Sequence, residues 1–235
     1  MQLRKWFQSP RRRNSAIFIL LAVVGVVVYR VYAAPTITIG TPAGSSRINS
    51  DSVTYGLTDA TGVVDESSKS KITWTRTGGT ADLDSPHTYP LLAGDMSPSG
   101  SHTVADTTPA APLVDGTIYT LTVSVSDGSN TSTATSTNVT FDTTPPELDS
   151  CDAGDGTDFV DVVFKEDVQT ADAEDETKYA LESPTGKTKS LAGATATYTS
   201  GTKTTRITGI TLTAGNTFKV TVTGVKDTAG NAMGA

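Results

Sequence analysis

The chain has one cysteine, Cys151, two histidines, and aromatic residues at only 6% of its 235 positions. A single cysteine excludes an internal disulfide, so apolar cores or bound ions must hold the fold even in an oxidising compartment. His87 and His102 sit in no HExxH spacing and no CxxC pair exists, which removes the common zinc arrangements. The scarcity of aromatics argues against a sugar-lined cleft worked by paired carboxylates. Acidic residues are absent before Asp51, and no amphipathic helix of ordinary length can be drawn after residue 35.

The first fifty positions hold the opposite charge. Arg4, Lys5, Arg11, Arg12 and Arg13 precede an apolar run over 16–29. Basic residues ahead of such a run stay on the cytoplasmic side, which predicts a cytoplasmic N-terminus and an exported remainder. The run matches a signal-peptide core in length and is shorter than the roughly 20 residues that span a bilayer comfortably. Two fates follow, and the residues do not choose between them. Val31 and Ala33 suit cleavage after Ala33, whereas a snorkelling Arg30 would extend the span and leave an uncleaved membrane anchor. The boundaries expected are 1–34 for this signal or anchor helix, 35–146 for a first module and 147–235 for a second. Setting aside the six basic residues up to Arg30 leaves 12 Lys and Arg against 25 Asp and Glu, a net of about −13. That balance excludes nucleic acid as a natural partner.

After residue 35 the pattern is all-β: short alternating segments cut by Gly, Pro, Asp, Asn and Ser. The clearest covers 117–126, where Tyr119, Leu121, Val123 and Val125 alternate with Thr120, Thr122 and Ser124. Asp127 and Gly128 supply a turn, and 136–141 belongs to the return strand. Other strands are expected at 36–39, 53–57 and 71–75, with Trp74 a core aromatic, and the stretch 78–111 reads as an elaborated loop with one or two short strands. The run Asp142-Thr143-Thr144-Pro145-Pro146 marks a stiff boundary. Beyond it, strands fit 158–164, 179–181, 195–199, 206–212 and 217–223, with a short helix or turn at 171–178.

The second module resembles the bacterial Ig-like domain of the S-layer-protein type. Its opening reads Val162-Val163-Phe164-Lys165-Glu166-Asp167-Val168, its middle Lys178-Tyr179-Ala180-Leu181, and its ending Gly215-Asn216-Thr217-Phe218-Lys219-Val220-Thr221-Val222. Val225-Lys226-Asp227-Thr228-Ala229-Gly230-Asn231 then makes a tight turn, with Gly230 and Asn231 expected to tolerate positive φ. The first module is similar to other bacterial Ig-like repeats, though its long middle departs from the compact pattern. The resemblance implies two tandem immunoglobulin-like β-sandwiches and a surface spacer, adhesive unit or structural subunit. It carries no catalytic residues.

Chemistry in the residues themselves is sparse. Ser101, His102 and Asp106 lie close in sequence, but triads assemble from separate elements and no GxSxG elbow exists, so they read as loop polarity. The stretch Asp152-Ala153-Gly154-Asp155-Gly156-Thr157-Asp158 has turn chemistry and superficially resembles a calcium loop, without EF-hand spacing. Clustered carboxylates at the boundary, Asp142, Asp149 and Asp152, suggest an interdomain calcium site that would stiffen the pair. Asn130 and Asn138 match the N-glycosylation acceptor pattern, which recurs by chance in a Thr-rich chain. No catalytic, cofactor-binding or metal-ligating residue is assigned, and no cofactor beyond that calcium. The function expected is an exported, non-enzymatic surface rod binding a protein or glycan. The alternatives are a self-assembling filament or surface-layer subunit with a retained packing helix, and an accessory module of a longer extracellular enzyme.

Overall fold

The computed structural model describes residues 34–58, 69–96, 100–108, 110–128, 130–153 and 158–234. The expected N-terminal helix and the glycine-containing stretch 154–157 lie outside them. No helix among the described residues is long and apolar enough to cross a membrane.

The first half runs β1 (Thr36–Thr41), β2 (Arg47–Ile48), β3 (Val53–Thr58), β4 (Lys71–Gly79), β5 (His87–Pro90), β6 (Gly100–Val104), β7 (Thr117–Ser126) and β8 (Thr131–Phe141). One sheet has the order β1-β3-β6, the other β2-β8-β7-β4-β5. Consecutive β1 and β2 therefore belong to different sheets, and β2 runs parallel to β8 while every other pair is antiparallel. Val53, Tyr55, Leu57 and Val104 from the first sheet meet Ile72, Trp74, Tyr119, Leu121 and Val123 from the second in one buried core. Trp74 is paired in register with Leu121, and its ring meets Tyr119 edge-on at 6.1 Å. Its indole N–H donates to the Thr107 hydroxyl at 2.9 Å, so the polar end of the largest core side chain is satisfied.

Alternation sends threonines the other way. Thr135, Thr122, Thr73 and Thr88 are register partners across β8, β7, β4 and β5, and none is buried. They lay a row of hydroxyls and methyls over the outer face of the sheet.

The second half runs β9 (Leu148–Ala153), β10 (Phe159–Phe164), a one-turn helix α1 (Thr170–Ala173), β11 (Tyr179–Glu182), β12 (Thr188–Lys189), β13 (Thr195–Thr199), β14 (Thr204–Thr208) and β15 (Lys219–Val222). The sheets are β13-β14-β10-β9 and β12-β11-β15. A second core forms from Val160, Val162, Phe164, Tyr179, Leu181, Tyr198, Ile207 and Val222 among others. On the opposite face of β10, Phe159 is covered by the Arg206 guanidinium, 4.3 Å from the ring centroid, which is itself held by Asp161. The outer face of β10 is thus partly covered at Phe159, which is half-buried.

Strands β7 and β13 fall on the residues expected, and the stretch 78–111 holds β5 and β6. One expected strand is displaced. The apolar alternation over 206–212 predicts a strand there, but β14 ends at Thr208 because Gly209 takes φ +76°, and Ile210 and Leu212 enter the core from an irregular segment. Strands β2, β9 and β12 were not expected; two of them have only two residues. Gly79 is required by its surroundings: φ is +68°, and a Cβ there would lie 2.2 Å from the Gly116 carbonyl oxygen.

Replacing Trp74 with Ala opens a cavity in the first core and leaves Thr107 without its donor. Urea unfolding should show a loss of about 3–5 kcal/mol, and a loss below 1 kcal/mol would mean that the core does not depend on this ring.

Candidate functional site

One set of bonded polar groups among the described residues joins the two halves at 142–144. β8 ends at Phe141, and the next residue, Asp142, is buried. Parallel pairing sets Arg47 of β2 beside Thr140, which brings its guanidinium to Asp142 Oδ2 at 2.9 Å. The Asp142 N–H donates to the Ile48 carbonyl at 2.8 Å, and its Oδ1 accepts the Thr144 N–H. Asp115 grips the same connector. It accepts the Thr143 N–H, the Thr143 hydroxyl and the Thr144 hydroxyl, and the Thr143 N–H does most to hold its carboxyl below the usual range.

The second half closes on the connector through its last turn. Asp227, fully buried, accepts N–H groups from Gly230 at 2.6 Å and Asn231 at 2.8 Å. Gly230 takes φ +101°, as the turn signal predicts; Asn231 does not take positive φ. Its side chain is used instead as a clamp. Nδ2 donates to the Asp142 carbonyl and to Asp227 Oδ2, each at 2.8 Å, and Oδ1 accepts from Asn49 of the first half.

Glu166, in the turn after β10, completes the cluster. Carboxylate oxygens of Asp142, Glu166 and Asp227 lie within 4.8 Å of one another. Burial first, then the charges of Asp142 and Asp227, raise the Glu166 pKa above the ordinary carboxylate value, with Arg47 and Lys203 opposing. Three hard oxygen donors at this separation are chemically suited to a divalent cation such as calcium, and Asp142, Glu166 and Asp227 are the residues that would hold it.

The expected carboxylate set is therefore corrected. Asp142 belongs to the cluster, whereas Asp149 and Asp152 do not: β9 packs Leu148, Cys151 and Ala153 against the second core and turns both acids to solvent. Residues 154–157 of the calcium-like loop lie outside the described residues. Ser101 and His102 are neighbours on β6 and so face opposite ways. Ser101 is exposed, and His102 stacks on Tyr55 at 5.5 Å. Asn138 is exposed with φ +58° on β8, and Asn130 closes the turn begun by Asp127.

His87 is placed differently again. Its Nε2 lies 2.6 Å from Asp82 Oδ2, which also accepts the Tyr119 hydroxyl at 2.6 Å; Tyr119 Oη in turn accepts the Val114 N–H. Burial opposes ionisation of Asp82, yet the bonds from Tyr119 and His87 outweigh it and hold its carboxyl below the usual range. Burial and that same carboxylate push the Tyr119 phenol up to about 12. This is a buried latch that ties Asp82 of the β4–β5 loop and His87 at the start of β5 to Tyr119 of β7, and only the alternation of β7 signals that Tyr119 points inward.

No family model matches the chain, and a search of curated proteins finds no match.

Two outcomes are expected from these carboxylates. Glu166 has a raised folded pKa, so its contribution to stability falls as pH rises from the ordinary carboxylate value through the raised one. Glu166→Gln should raise the melting temperature at pH 7 in chelator, by on the order of 1–3 °C, and lose that advantage at acid pH. A calcium-dependent gain in the parent that the variant lacks would identify a cation site; equal melting with and without calcium would leave the cluster a proton-sensitive joint. Asp82 has the opposite sign: its contribution is present above the unfolded carboxylate pKa and lost as pH falls through the depressed one. Asp82→Asn should lower stability at pH 7 and flatten the acid limb of the stability curve, and an unchanged limb would exclude the latch as its source.

Proposed function

We propose that this chain is an exported, non-enzymatic cell-surface protein in which two immunoglobulin-like sandwiches form a stiff spacer that presents a binding face. The observation that carries the reading is the gripped connector. Residues 142–144 are bonded by Arg47 and Asp115 from one half and by Asn231 from the other. A flexible tether needs none of these contacts, whereas a spacer that transmits position needs its joint fixed.

Support for the immunoglobulin-like part comes from three features of the first half. The chain switches sheets between β1 and β2, and β2 then runs parallel to the last strand. Trp74 sits at the core on β4, a strand next to β7. Tyr119, near the start of β7, bonds back to the Val114 N–H five residues upstream, in the manner of a tyrosine corner. Leu121, two residues on, stands where a disulfide cysteine would be in antibody domains, which fits a chain with one cysteine. The basic-then-apolar N-terminus supports export, and the acidic remainder supports a hydrated exterior surface.

The test is made in the native cells. Envelope fractions should contain the protein, with an N-terminus either at Ala34 or retained, and protease added to intact cells should digest it. Recovery of the full-length chain in the soluble cytoplasmic fraction, protected from that protease, would overturn the reading.

A further inference from the structure

Strand β8 is paired along one side by β7, but β2 covers its other side only at Thr140 and Phe141. The Ser45 N–H caps the Thr137 carbonyl, and before that point the side is open. Backbone groups alternate in direction along a strand, so those of Thr131, Thr133 and Thr135 point the same way as the capped Thr137 carbonyl. None of these N–H and C=O groups has a partner among the described residues. Residues 131–136 thus offer about 20 Å of unpaired strand edge.

Charge, proline and bulges are what keep stray strands off an edge. Several edges of this fold carry such devices. A bulge breaks β1 between Ile39 and Thr41, β5 ends in Pro90, exposed Asp149 and Asp152 stud β9, and the Glu174 carboxylate accepts the Tyr198 N–H of edge strand β13. β8 has none of them over 131–136. The flank around it is also neutral: no Asp, Glu, Lys or Arg occurs in 128–141, or in 34–46, which contains the β1 that packs beside β8, although 18% of the chain is charged. A charged partner strand would find nothing here to select it. An isologous contact, in contrast, sets residues near the axis against themselves, where any charge would meet its like. A neutral edge is what pairing with an identical edge requires.

We propose that the open edge of β8 pairs antiparallel with the same edge of a second copy of this chain, Thr133 opposite Thr133 and Thr131 opposite Thr135 across a two-fold axis. The two β2-β8-β7-β4-β5 sheets then join through their β8 strands, and the exposed threonines meet in cross-strand pairs. Antiparallel pairing reverses one chain against the other. Copies rooted on one surface point the same way, so the contact fits copies from two facing surfaces, a homophilic adhesion by strand addition. The setting rests on the surface reading above; the pairing is tested on purified protein, so either can fail without the other.

Cysteine crosslinking retains even a sparsely populated pair, because each oxidation is kept. The full-length chain in detergent, with Cys151→Ser as background, is made with Thr131→Cys, Thr133→Cys or Thr135→Cys, all at exposed positions. Hydrogen-bonded antiparallel partners have Cα atoms about 5.5 Å apart, inside the disulfide range of roughly 4.4–6.8 Å. Under mild oxidation Thr133→Cys should dimerise alone, whereas Thr131→Cys and Thr135→Cys should do so only when mixed. On beads carrying the full-length chain coupled at its N-terminus, where many weak contacts add, Thr133→Lys should cut bead clustering at least about tenfold, since two lysines would face each other. Equal dimer yields at the three positions, no dimer of Thr133→Cys, or clustering indifferent to Thr133→Lys would overturn the proposal and leave the edge to an unrelated strand.

Discussion

The inward apolar side chains of β7, Tyr119, Leu121, Val123 and Val125, are fully buried, and burying that row dictates what surrounds it. A strand with so apolar a face must lie against a second sheet, and its backbone must be paired on both edges. β8 and β4 supply the pairing, and Val53, Tyr55 and Leu57 of β3 supply the opposing layer. Slipping β7 by one residue would exchange valines for threonines across the whole core. With no disulfide to pin the sheets, that register does the work a covalent bond does in many secreted domains of this size.

The polar anchors follow from the same row. Tyr119 enters the core with a hydroxyl that must be satisfied; it donates to Asp82 and accepts the Val114 N–H, and His87 holds the Asp82 carboxylate in turn. A buried carboxylate with two charge-stabilising donors is costly to disturb, which is why the β4–β5 loop is fixed although it has no strand pairing of its own.

How much of this could be read from sequence depended on whether the signal was local. Alternation located β7 and β13 to the residue, because period two survives in a single window. The two-residue strands β2 and β12 have no window to be seen in. β14 stopped early because Gly209 adopts a conformation that the apolar pattern beyond it does not reveal. At the junction, Asp142 was legible as part of a proline-rich boundary, but Glu166 and Asp227 come from turns whose proximity is a product of the fold. Asp149 and Asp152 are nearer in sequence but stand outside the cluster, since edge strand β9 carries them to solvent. Asn231 was seen as a turn former, and its use as a clamp could not be inferred, because its acceptor is a backbone carbonyl 89 residues earlier.

That separation also sets an order of events. All strands of the first core precede residue 142, so a chain emerging N-terminus first holds everything needed to close that core while its connector is still ungripped. Asn231 and Asp227 arrive after every strand of the second half. The first half's share of the joint, from Arg47 and Asp115, can form as soon as residue 144 is made, whereas the second half's share waits for the C-terminal turn. The fixed joint therefore depends on the C-terminal turn, although the residues it holds lie between the two halves.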